Sequence, residues 1–493
     1  MTENKEPPFI PLFIGGAFRP LTTDTTFDVR NPATGQVVEH AAAASAQDCQ
    51  LAIEAAGNAF DSWKATTPGF KADIFRKVAD LIITARFQEK IIQTATQETG
   101  VPPETGALTN ITAIRDYILA AAEGPYEAKG EILPSDFGAK VFVEKRPLGV
   151  IFIISPWNSP LGLSLITTLP ALAAGNTIVH KTSENSPGTQ LIAAELLKEA
   201  GIPDGVFNVI HTAKEDAGSR VAEIIAHPLV RKIGFTGSDH IGRIIATEAA
   251  KYLKPVILEL GGKAPAIVLN DAKIDVAARG IIAGALLHSG QLCLSTERVI
   301  VQREVAAKLI ECLKAVASKL KAGDVNSTDA RLGPLFNENA AKEVVSMIKE
   351  AVDGGAQLLL GDLKHDGAFV QPHIVLGTKP GTRLWDRESF GPVITIAIVD
   401  TVDEAIELAN ASSYSLTSSL WTSDMQKAFE IASRIYVDKV NVNGMTMSSE
   451  PRFHQEGKGG SSGYGKFCVD SFLHTQLISF QDPEKQMFPL VDF

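Results

Sequence analysis

Short apolar runs alternate along the chain with longer segments in which apolar residues recur at helical spacing. In the first half, the apolar runs predict strands over 150–155, 176–181, 207–211 and 232–237. The segments between these runs predict helices over 161–174, 189–200 and 219–226. Such repeated strand and helix units are typical of a doubly wound parallel sheet with helices on its faces, the kind of domain that binds nucleotides.

A second block of the same kind begins after Gly262. Its predicted strands cover 266–269, 298–301 and 393–399. Its predicted helices cover 305–320 and 340–352. The chain therefore belongs to the α/β class and contains two α/β domains.

The segment KGEILPSDFGAKVFVEKRPLGV, residues 129–150, interrupts the helical pattern of the first half. It predicts a hairpin that turns at 135–138. An exposed hairpin leaves a strand edge that needs a partner, so we expect this arm to pair with another subunit.

Composition and charge limit the partners of these domains. The chain has 493 residues, of which 45% are hydrophobic and 21% are charged, as in an ordinary globular protein. Its net charge of −11 argues against nucleic acid or an anionic membrane as the main partner. The most apolar stretch, 149–180, contains Pro156, Pro160 and Pro170, which do not fit an uninterrupted membrane helix. We expect neither a nucleic acid partner nor a membrane partner.

Four cysteines lie far apart and form no CxxC pair, at Cys49, Cys293, Cys312 and Cys468. This spacing indicates neither a disulfide framework nor a metal site. The N-terminal sequence MTENKEPPF lacks the basic start and apolar core of a secretion signal. We therefore expect reduced thiols, no metal and a cytoplasmic protein.

A thiol and a carboxylate each occur among residues that favour turns or strand ends. Cys293 lies in GQLCLSTER, and Glu259 lies in LELGGKAP, at the end of a predicted strand. They could serve as a nucleophile and as a base that activates water. The alternatives are that Cys293 is a small buried apolar residue and that Glu259 is an exposed charge.

PWNSP follows the predicted strand 150–155 directly. Its two prolines make a rigid turn that would hold the side-chain amide of Asn158 in one place, as an oxyanion hole requires. The alternative is that Asn158 caps the next helix.

Three further motifs follow or precede predicted strands and carry groups that suit a dinucleotide. In HKTSE, Lys181 and Glu184 could bind ribose or phosphate oxygens, whereas in isolation they could be solvated charges. In GFTGS, Gly237 and Ser238, with Gly242 one turn on, could present backbone N–H groups to a pyrophosphate, or could form a plain turn. In RESFGPV, Glu388 could bind a ribose and Phe390 could flank a nicotinamide ring, or the motif could form a turn that leads into the strand at Val393.

Taken together and in this order, PWNSP, HKTSE, GFTGS, LELGGK, GQLC and ESFGPV resemble the aldehyde dehydrogenase superfamily over about 13–480. The resemblance implies a Rossmann-like cofactor domain, an α/β catalytic domain and a small β oligomerisation arm. The cofactor domain is predicted over 1–128 and 147–260, and the catalytic domain over 261–469. The arm is predicted over 129–146 and 470–493, and the resemblance implies a homodimer or a homotetramer.

The resemblance also implies roles for single residues. Cys293 matches the nucleophile that forms a thiohemiacetal and then a thioester, Asn158 matches the oxyanion-hole donor, and Glu259 matches the base for hydrolysis. The expected cofactor contacts are Trp157, Lys181, Glu184, Gly237, Ser238, Gly242, Glu388 and Phe390. Glu184 would repel a 2′-phosphate, which favours NAD, although NADP stays open.

The expected reaction is therefore oxidation of an aldehyde to a carboxylic acid. GQLCLSTER resembles the salicylaldehyde, vanillin and benzaldehyde dehydrogenase branch, which indicates an aromatic substrate. Alternatives are an aliphatic aldehyde or semialdehyde dehydrogenase, a non-catalytic homologue or a thiol esterase.

Near the C-terminus the sequence departs from the family pattern. Residues 455–465 read QEGKGGSSGYG, so the role of the loop 455–460, at the expected substrate mouth, stays open. Five residues are candidates for an apolar funnel to the thiol or for ordinary core packing: Trp157, Leu161, Leu292, Leu294 and Phe453.

Overall fold

The computed structural model describes residues 6–19, 25–103, 108–325, 329–453, 456–486, 488 and 490. Gln455, in the loop that departs from the family pattern, lies outside the described residues, as do 487, 489 and 491–493 of the predicted arm. Within the described part of the chain, no helix is both long and apolar enough to cross a membrane.

Strands and helices follow one another throughout the chain. The strands are β1 (Phe9–Ile10), β2 (Leu12–Ile14), β3 (Ala17–Arg19), β4 (Thr26–Arg30), β5 (Val37–Ala42), β6 (Glu131–Leu133), β7 (Lys140–Pro147), β8 (Val150–Ile154), β9 (Thr177–Lys181), β10 (Phe207–Ile210), β11 (Val230–Thr236), β12 (Val256–Glu259), β13 (Ala264–Val268), β14 (Thr296–Gln302), β15 (Gln357–Leu360), β16 (His373–Leu376), β17 (Val393–Val399), β18 (Thr417–Trp421), β19 (Lys439–Val442), β20 (Gly463–Tyr464) and β21 (Leu473–Phe480). The helices are α1 (Ala46–Lys64), α2 (Pro68–Ile82), α3 (Ala85–Thr99), α4 (Leu108–Ala121), α5 (Pro160–Ala173), α6 (Pro187–Ala200), α7 (Ala217–Ala226), α8 (Asp239–Lys251), α9 (Ile274–Leu286), α10 (Arg303–Ala317), α11 (Glu338–Asp353), α12 (Arg383–Asp386), α13 (Val402–Asn410) and α14 (Met425–Arg434).

The first sheet has the strand order β20-β12-β11-β8-β9-β10-β2-β3. Its central strands β8 to β12 are parallel, and α5, α6 and α7 connect them, as the sequence predicts. Because β8 is fully buried, it is apolar along its whole length, whereas the equally buried β9 contains the polar residues Thr177, His180 and Lys181. Their carboxyl ends, and those of β11 and β12, lie at one edge of the sheet, which is where ligands bind in this class of fold.

The second sheet has the strand order β15-β16-β17-β14-β13-β18-β19. The predicted strands are confirmed as β13, β14 and β17, and the predicted helices as α10 and α11. The edge strand β19 pairs in parallel with β18, and both come from a part of the sequence for which no strand was predicted.

The predicted hairpin is formed by β6 and β7, and β21 pairs antiparallel with β7 from Leu473 opposite Pro147 to Phe480 opposite Lys140. This three-stranded arm exposes large apolar side chains, with Ile132 72%, Phe137 88% and Leu477 62% exposed. A further small sheet contains β1, β5 and β4.

The C-terminal part of the segment 261–469 packs on the first sheet. Strand β20 pairs with β12, and Phe467 and Val469 belong to the core formed by α2, α5 and α6. The proposed domain boundaries therefore stay predictions, since the chain crosses between the two units more than once.

Candidate active site

Cys293 lies in the loop that joins α9 to β14, after a sharp backbone reversal. His288, Ser289 and Gly290 have consecutive positive φ angles of 49°, 57° and 78°. Residues other than glycine adopt this region at a cost, so contacts outside the loop must hold it. One such contact is the 2.7 Å hydrogen bond that the Ser289 hydroxyl donates to the carbonyl of Gly333.

Gln291 is fully buried and fixes the segment just before the thiol. Its side-chain amide donates to the carbonyls of His288 and Pro334, each at 3.1 Å, and its side-chain oxygen accepts the N–H of Phe336 at 2.8 Å. Its own carbonyl accepts a 3.0 Å hydrogen bond from Nδ2 of Asn158. The structure thus brings the PWNSP turn into contact with the cysteine loop.

Glu259 is the last residue of β12 and is only 6% exposed. Burial raises its pKa from 4.5 to about 7, and Asp438 also raises it, whereas Lys439 lowers it. The turn after it packs closely on the backbone of Cys293, because a Cβ on Gly262 would lie 1.9 Å from the carbonyl oxygen of Cys293. Only glycine permits this approach.

The Cys293 thiol is partly exposed and interacts with two carboxyl groups. Burial raises its pKa well above 9, and the negative charges of Glu259 and Glu388 raise it further. The other cysteines have different surroundings: Cys49 is buried, Cys312 contacts Asp275 and Cys468 contacts Ser471. Cys293 and Glu259, two predicted site residues, therefore share one electrostatic environment.

Lys181 and Glu184 lie at the carboxyl end of β9. The Lys181 side chain is buried, and its ammonium donates to the carbonyl of Thr182 at 2.9 Å. Burial lowers the pKa of Lys181, and the neighbouring Glu184 counteracts this effect. The predicted pair of opposite charges is therefore assembled at the ligand edge.

Gly237 and Ser238 lead into the N-terminus of α8. The N–H of Gly237 donates to the carbonyl of Glu259 at 3.1 Å, and the Ser238 hydroxyl accepts the N–H of Ile241 as the N-cap. A Cβ on Gly242 would lie 2.6 Å from Leu260, so this glycine allows close packing between helix and strand. The positive end of the α8 dipole points to the same edge as Lys181.

Glu388 and Phe390 lie just before β17. Glu388 accepts the N–H of Gly262 at 2.8 Å, which places its carboxyl beside the glycine turn that contacts Cys293. Burial, and next the negative charge of Glu297, raise the pKa of Glu388 to about 8. The ring of Phe390 meets that of Trp157 edge to face, with 6.0 Å between centroids.

A buried ion pair that no sequence motif indicated contacts the segment of Glu388 and Phe390. The Lys263 ammonium bonds to the Glu297 carboxylate, and both residues are at most 4% exposed. Glu297 also accepts the N–H of Ser389 at 2.9 Å and that of Phe390 at 3.4 Å. Charged residues within the apolar runs ELGGKAPAIV and STERVIV were the signal that could have revealed this pair.

Comparison with known proteins identifies the family of the chain. The sequence profile of the aldehyde dehydrogenase family matches residues 18–477. The chain belongs to this family. It is 36% identical to a vanillin dehydrogenase of Pseudomonas fluorescens, over 96% of this chain and 98% of that one. It is 33% identical to a salicylaldehyde dehydrogenase of Pseudomonas sp. (strain C18), over 97% of this chain and 99% of that one.

Among solved structures, a salicylaldehyde dehydrogenase from Pseudomonas putida G7, complexed with salicylaldehyde, superposes with a TM-score of 0.94. The two sequences are 31% identical, and the match covers 98% of this chain and 100% of that one. A lactaldehyde dehydrogenase structure gives a TM-score of 0.91 at 32% identity, over 97% of this chain and all of that one. The chain is thus an aldehyde dehydrogenase, an enzyme that oxidises an aldehyde to an acid with NAD or NADP.

The ligand edge of this aldehyde dehydrogenase fits a nicotinamide dinucleotide. A buried ammonium (Lys181) and the open N-terminus of α8 suit phosphate oxygens, and the carboxyls of Glu184 and Glu388 suit ribose hydroxyls. Lys181, Glu184 and the N-terminus of α8 lie at the carboxyl ends of strands of the first sheet. Glu388 faces the same edge from the segment before β17.

Aromatic rings surround Trp157 in this aldehyde dehydrogenase. Its ring lies 5.0 Å from that of Phe336 and 6.0 Å from that of His288, neither of which any sequence motif indicated. Of the funnel candidates, Leu161 is only 2% exposed within the core, Phe453 is 74% exposed, and Leu292 and Leu294 are partly exposed. Core packing therefore explains Leu161.

Proposed function

We propose that this enzyme oxidises an aromatic aldehyde to its carboxylic acid, with Cys293 as nucleophile, Glu259 as base and Asn158 as oxyanion-hole donor. The observation that carries this proposal is the close packing of the turn after the buried Glu259 on the backbone of Cys293, in a loop that Asn158 also contacts. The same three residues match the nucleophile, base and donor positions of the family motifs.

Cys293 acts first. Its thiolate attacks the carbonyl carbon of the aldehyde, a carbon–sulfur bond forms, and the carbonyl oxygen of the resulting thiohemiacetal takes up the negative charge. One N–H of Asn158 already donates to Gln291, and its side-chain amide has a second N–H for this oxygen. The backbone N–H of Cys293 is the other donor. A bound nicotinamide supplies the acceptor for the hydride whose removal leaves a thioester.

Glu259 acts next. Its pKa of about 7 leaves a substantial ionised fraction at neutral pH, so it can take a proton from water. The hydroxide oxygen attacks the thioester carbon, the carbon–sulfur bond breaks, and the acid leaves with the thiol regenerated. This step distinguishes an acid-forming enzyme from one that transfers the acyl group to another thiol.

The proposed cofactor is NAD. Glu184 lies beside Lys181 at the end of β9, where its carboxylate would repel a 2′-phosphate. The proposed contacts are Trp157, Lys181, Glu184, Gly237, Ser238, Gly242, Glu388 and Phe390.

The proposed aromatic substrate rests on two observations. The chain is similar over nearly its whole length to proteins named vanillin and salicylaldehyde dehydrogenases. Aromatic rings of Trp157, Phe336 and Phe390 cluster beside the cysteine loop, and such rings pack well on an aryl aldehyde. An aliphatic aldehyde is the second candidate, because a lactaldehyde dehydrogenase of Escherichia coli is 33% identical.

We further propose a homodimer or homotetramer that assembles through the arm of β6, β7 and β21. The exposed apolar residues Ile132, Phe137 and Leu477 support this assembly, because such side chains gain stability when a partner covers them. The free thiol that Cys293 needs persists in a reducing compartment, so we place the enzyme in the cytoplasm.

The test is the absorbance of NADH or NADPH when the purified protein is mixed with either cofactor and a panel of aromatic aldehydes, aliphatic aldehydes and semialdehydes. We expect reduction of NAD with aromatic aldehydes, and none with Cys293→Ser. If no aldehyde in the panel gives a signal, the proposed function is wrong. Ester hydrolysis without cofactor, lost in Cys293→Ser, would instead indicate a thiol esterase.

A further inference from the structure

Lys439 is the first residue of β19, the edge strand of the second sheet, and no sequence motif pointed to it. It pairs with Thr417 of β18, whose hydroxyl donates to the carbonyl of Thr446 at 2.7 Å. The hydroxyl of Thr446 in turn donates to the carbonyl of Leu294 at 2.6 Å. Two hydrogen bonds therefore tie β18, which pairs with the strand of Lys439, to the residue that follows Cys293.

The Lys439 ammonium is shielded from solvent, and within the described part of the chain it has no hydrogen-bond partner. A buried ammonium without hydrogen bonds is costly unless nearby negative charge compensates it. It interacts electrostatically with four acidic groups, Asp438, Cys293, Glu259 and Glu450. Two of these four are the proposed nucleophile and base.

Other titratable groups face the site from neighbouring elements, and one of them, the buried cation Lys263, acts on Glu388 while it is paired with Glu297. Glu388 faces Cys293 from the segment before β17, and Tyr117 of α4 interacts with Glu259 and Glu450. Of the groups that act on Cys293, the side chains of Glu259 and Glu388 raise the pKa of the thiol, and Lys439 lowers it. Lys439 also lowers the pKa of Glu259.

The chemistry requires negative charge on both groups in turn. A thiolate and a carboxylate that share a poorly hydrated site repel each other, so each makes the other harder to ionise. A cation held near both offsets this repulsion. Because the Lys439 ammonium is shielded, it acts on the Cys293 thiol and the Glu259 carboxyl through space. Direct contact with a substrate would require the Lys439 side chain to move.

We propose that Lys439 is a positioning residue of the active site, whose buried ammonium stabilises the Cys293 thiolate and the Glu259 carboxylate. This inference rests on the proposed roles of those two residues. The loop 455–460, which departs from the family pattern, contacts the residue before Lys439. The N–H of Glu456 donates to the Asp438 carboxylate at 3.2 Å.

The test measures the rate of Cys293 alkylation by iodoacetamide between pH 6 and pH 11, because burial raises the pKa of this thiol well above 9, with the modified residue located by peptide mass spectrometry. We expect the midpoint for Lys439→Met to lie about one pH unit above that of wild type, since one opposite charge shifts a pKa by about this much or more. At neutral pH the variant should react about tenfold more slowly. Lys439→Arg, which keeps the charge, should restore most of the wild-type profile.

Lys458→Met is the matched control, because it removes an exposed lysine near the same strand and should leave the profile unchanged. Circular dichroism and thermal unfolding show whether each variant is folded. If Lys439→Met does not fold, Lys439→Gln takes its place under the same criterion. A folded variant whose alkylation profile superimposes on that of wild type overturns the proposal.

A rise only in KM for aldehydes that carry a carboxylate, with an unchanged alkylation profile, would also overturn it, since Lys439 would then bind substrate instead. Alkylation needs neither aldehyde nor cofactor. A shifted profile in a protein that oxidises no aldehyde would therefore refute the proposed function and leave the electrostatic effect of Lys439 on the thiol intact.

Discussion

The side-chain amide of Asn158 donates to the backbone carbonyl of Gln291 over 3.0 Å. This bond joins the turn that follows β8 to the loop that carries the thiol, so the proposed oxyanion donor and the proposed nucleophile are held in a fixed relation. Gln291 is held by three further hydrogen bonds of its own side chain. A preorganised donor of this kind is what stabilises developing oxyanions in enzymes.

Asn158→Ala removes that donor. We expect kcat to fall by about 10²- to 10³-fold, the usual cost of one oxyanion-hole donor. The affinity for the cofactor, measured by fluorescence titration, should be largely kept, because Asn158 is not one of the proposed cofactor contacts. Turnover near the wild-type value would mean that Asn158 serves only to brace the cysteine loop.

Glu259→Gln separates formation of the thioester from its hydrolysis. The first turnover should still produce reduced cofactor, whereas steady-state turnover should fall by about 10²- to 10⁴-fold, because no base activates water. Stopped-flow absorbance should therefore show a burst of about one equivalent followed by a slow phase. Cys293→Ser, as the control, should show no burst. A Glu259→Gln enzyme with normal steady-state turnover would exclude Glu259 as the base.

The same residue determines the acid limb of the wild-type pH profile. The pKa of Glu259 is raised to about 7, so the base form is lost as pH falls through 7. We expect the rate of the hydrolytic step to fall about tenfold for each pH unit below that value. A hydrolytic rate that stays constant from pH 8 to pH 5 would contradict this assignment.

Much of the fold could be predicted from apolar runs because β8, β13 and β17 are buried and therefore nearly continuously apolar. Strands β18 and β19 escaped prediction since TSSLW and KVNV contain many polar residues. The polarity of these strands is explained by tertiary contacts, such as those of Thr417 and Lys439 near the cysteine loop, which no local pattern reports.

Within the site, motifs placed at strand ends could be predicted, since the parallel topology gathers those ends at one edge. Glu259 and Asn158 are of this kind, whereas Cys293 lies in the loop before β14. Glu297 and Phe336 could not be assigned a role, because their effect depends on which distant segment packs against them. The contact of Phe336 with Trp157 arises only when the two α/β units meet, and the hydrogen bond of Glu297 with Phe390 joins segments 93 residues apart within the second unit.

Glu297→Gln leaves the Lys263 ammonium buried without its charge partner. We expect the free energy of unfolding to fall by about 3–5 kcal/mol, the usual cost of breaking a buried ion pair from one side. Cofactor affinity should weaken as well, because Glu297 holds the N–H groups of Ser389 and Phe390. Urea unfolding and fluorescence titration measure the two effects.

Exchange of both partners, Lys263→Met with Glu297→Gln, should recover part of that stability, since no uncompensated charge then remains buried. Arg303→Gln, which breaks an exposed pair with Asp400, is the control and should change stability by less than about 1 kcal/mol. A Glu297→Gln variant as stable as this control would show that the buried pair does not contribute.

A second buried pair, formed by two carboxyl groups, should make stability depend on pH. Glu98 accepts the N–H groups of Gly188 and Thr189, each at 2.8 Å, at the start of α6, and Glu39 lies beside it, with both carboxyls at most 3% exposed. Burial, and next the charge of Glu98, raise the pKa of Glu39 to about 10. The folded state therefore keeps a proton on Glu39 that the unfolded chain releases near pH 4.5.

Because the folded pKa of Glu39 is the higher one, the stability that it contributes is complete at low pH and is lost as pH rises toward 10. The loss is at most about 1.4 kcal/mol per pH unit for this one proton. Glu39→Gln replaces the protonated carboxyl by a neutral amide of nearly the same shape. Its unfolding free energy should therefore decline less than that of wild type between pH 7 and pH 10, as measured by urea unfolding. Equal declines in the two proteins would show that Glu39 is already ionised in the folded enzyme, with the charge of the pair balanced by Lys90.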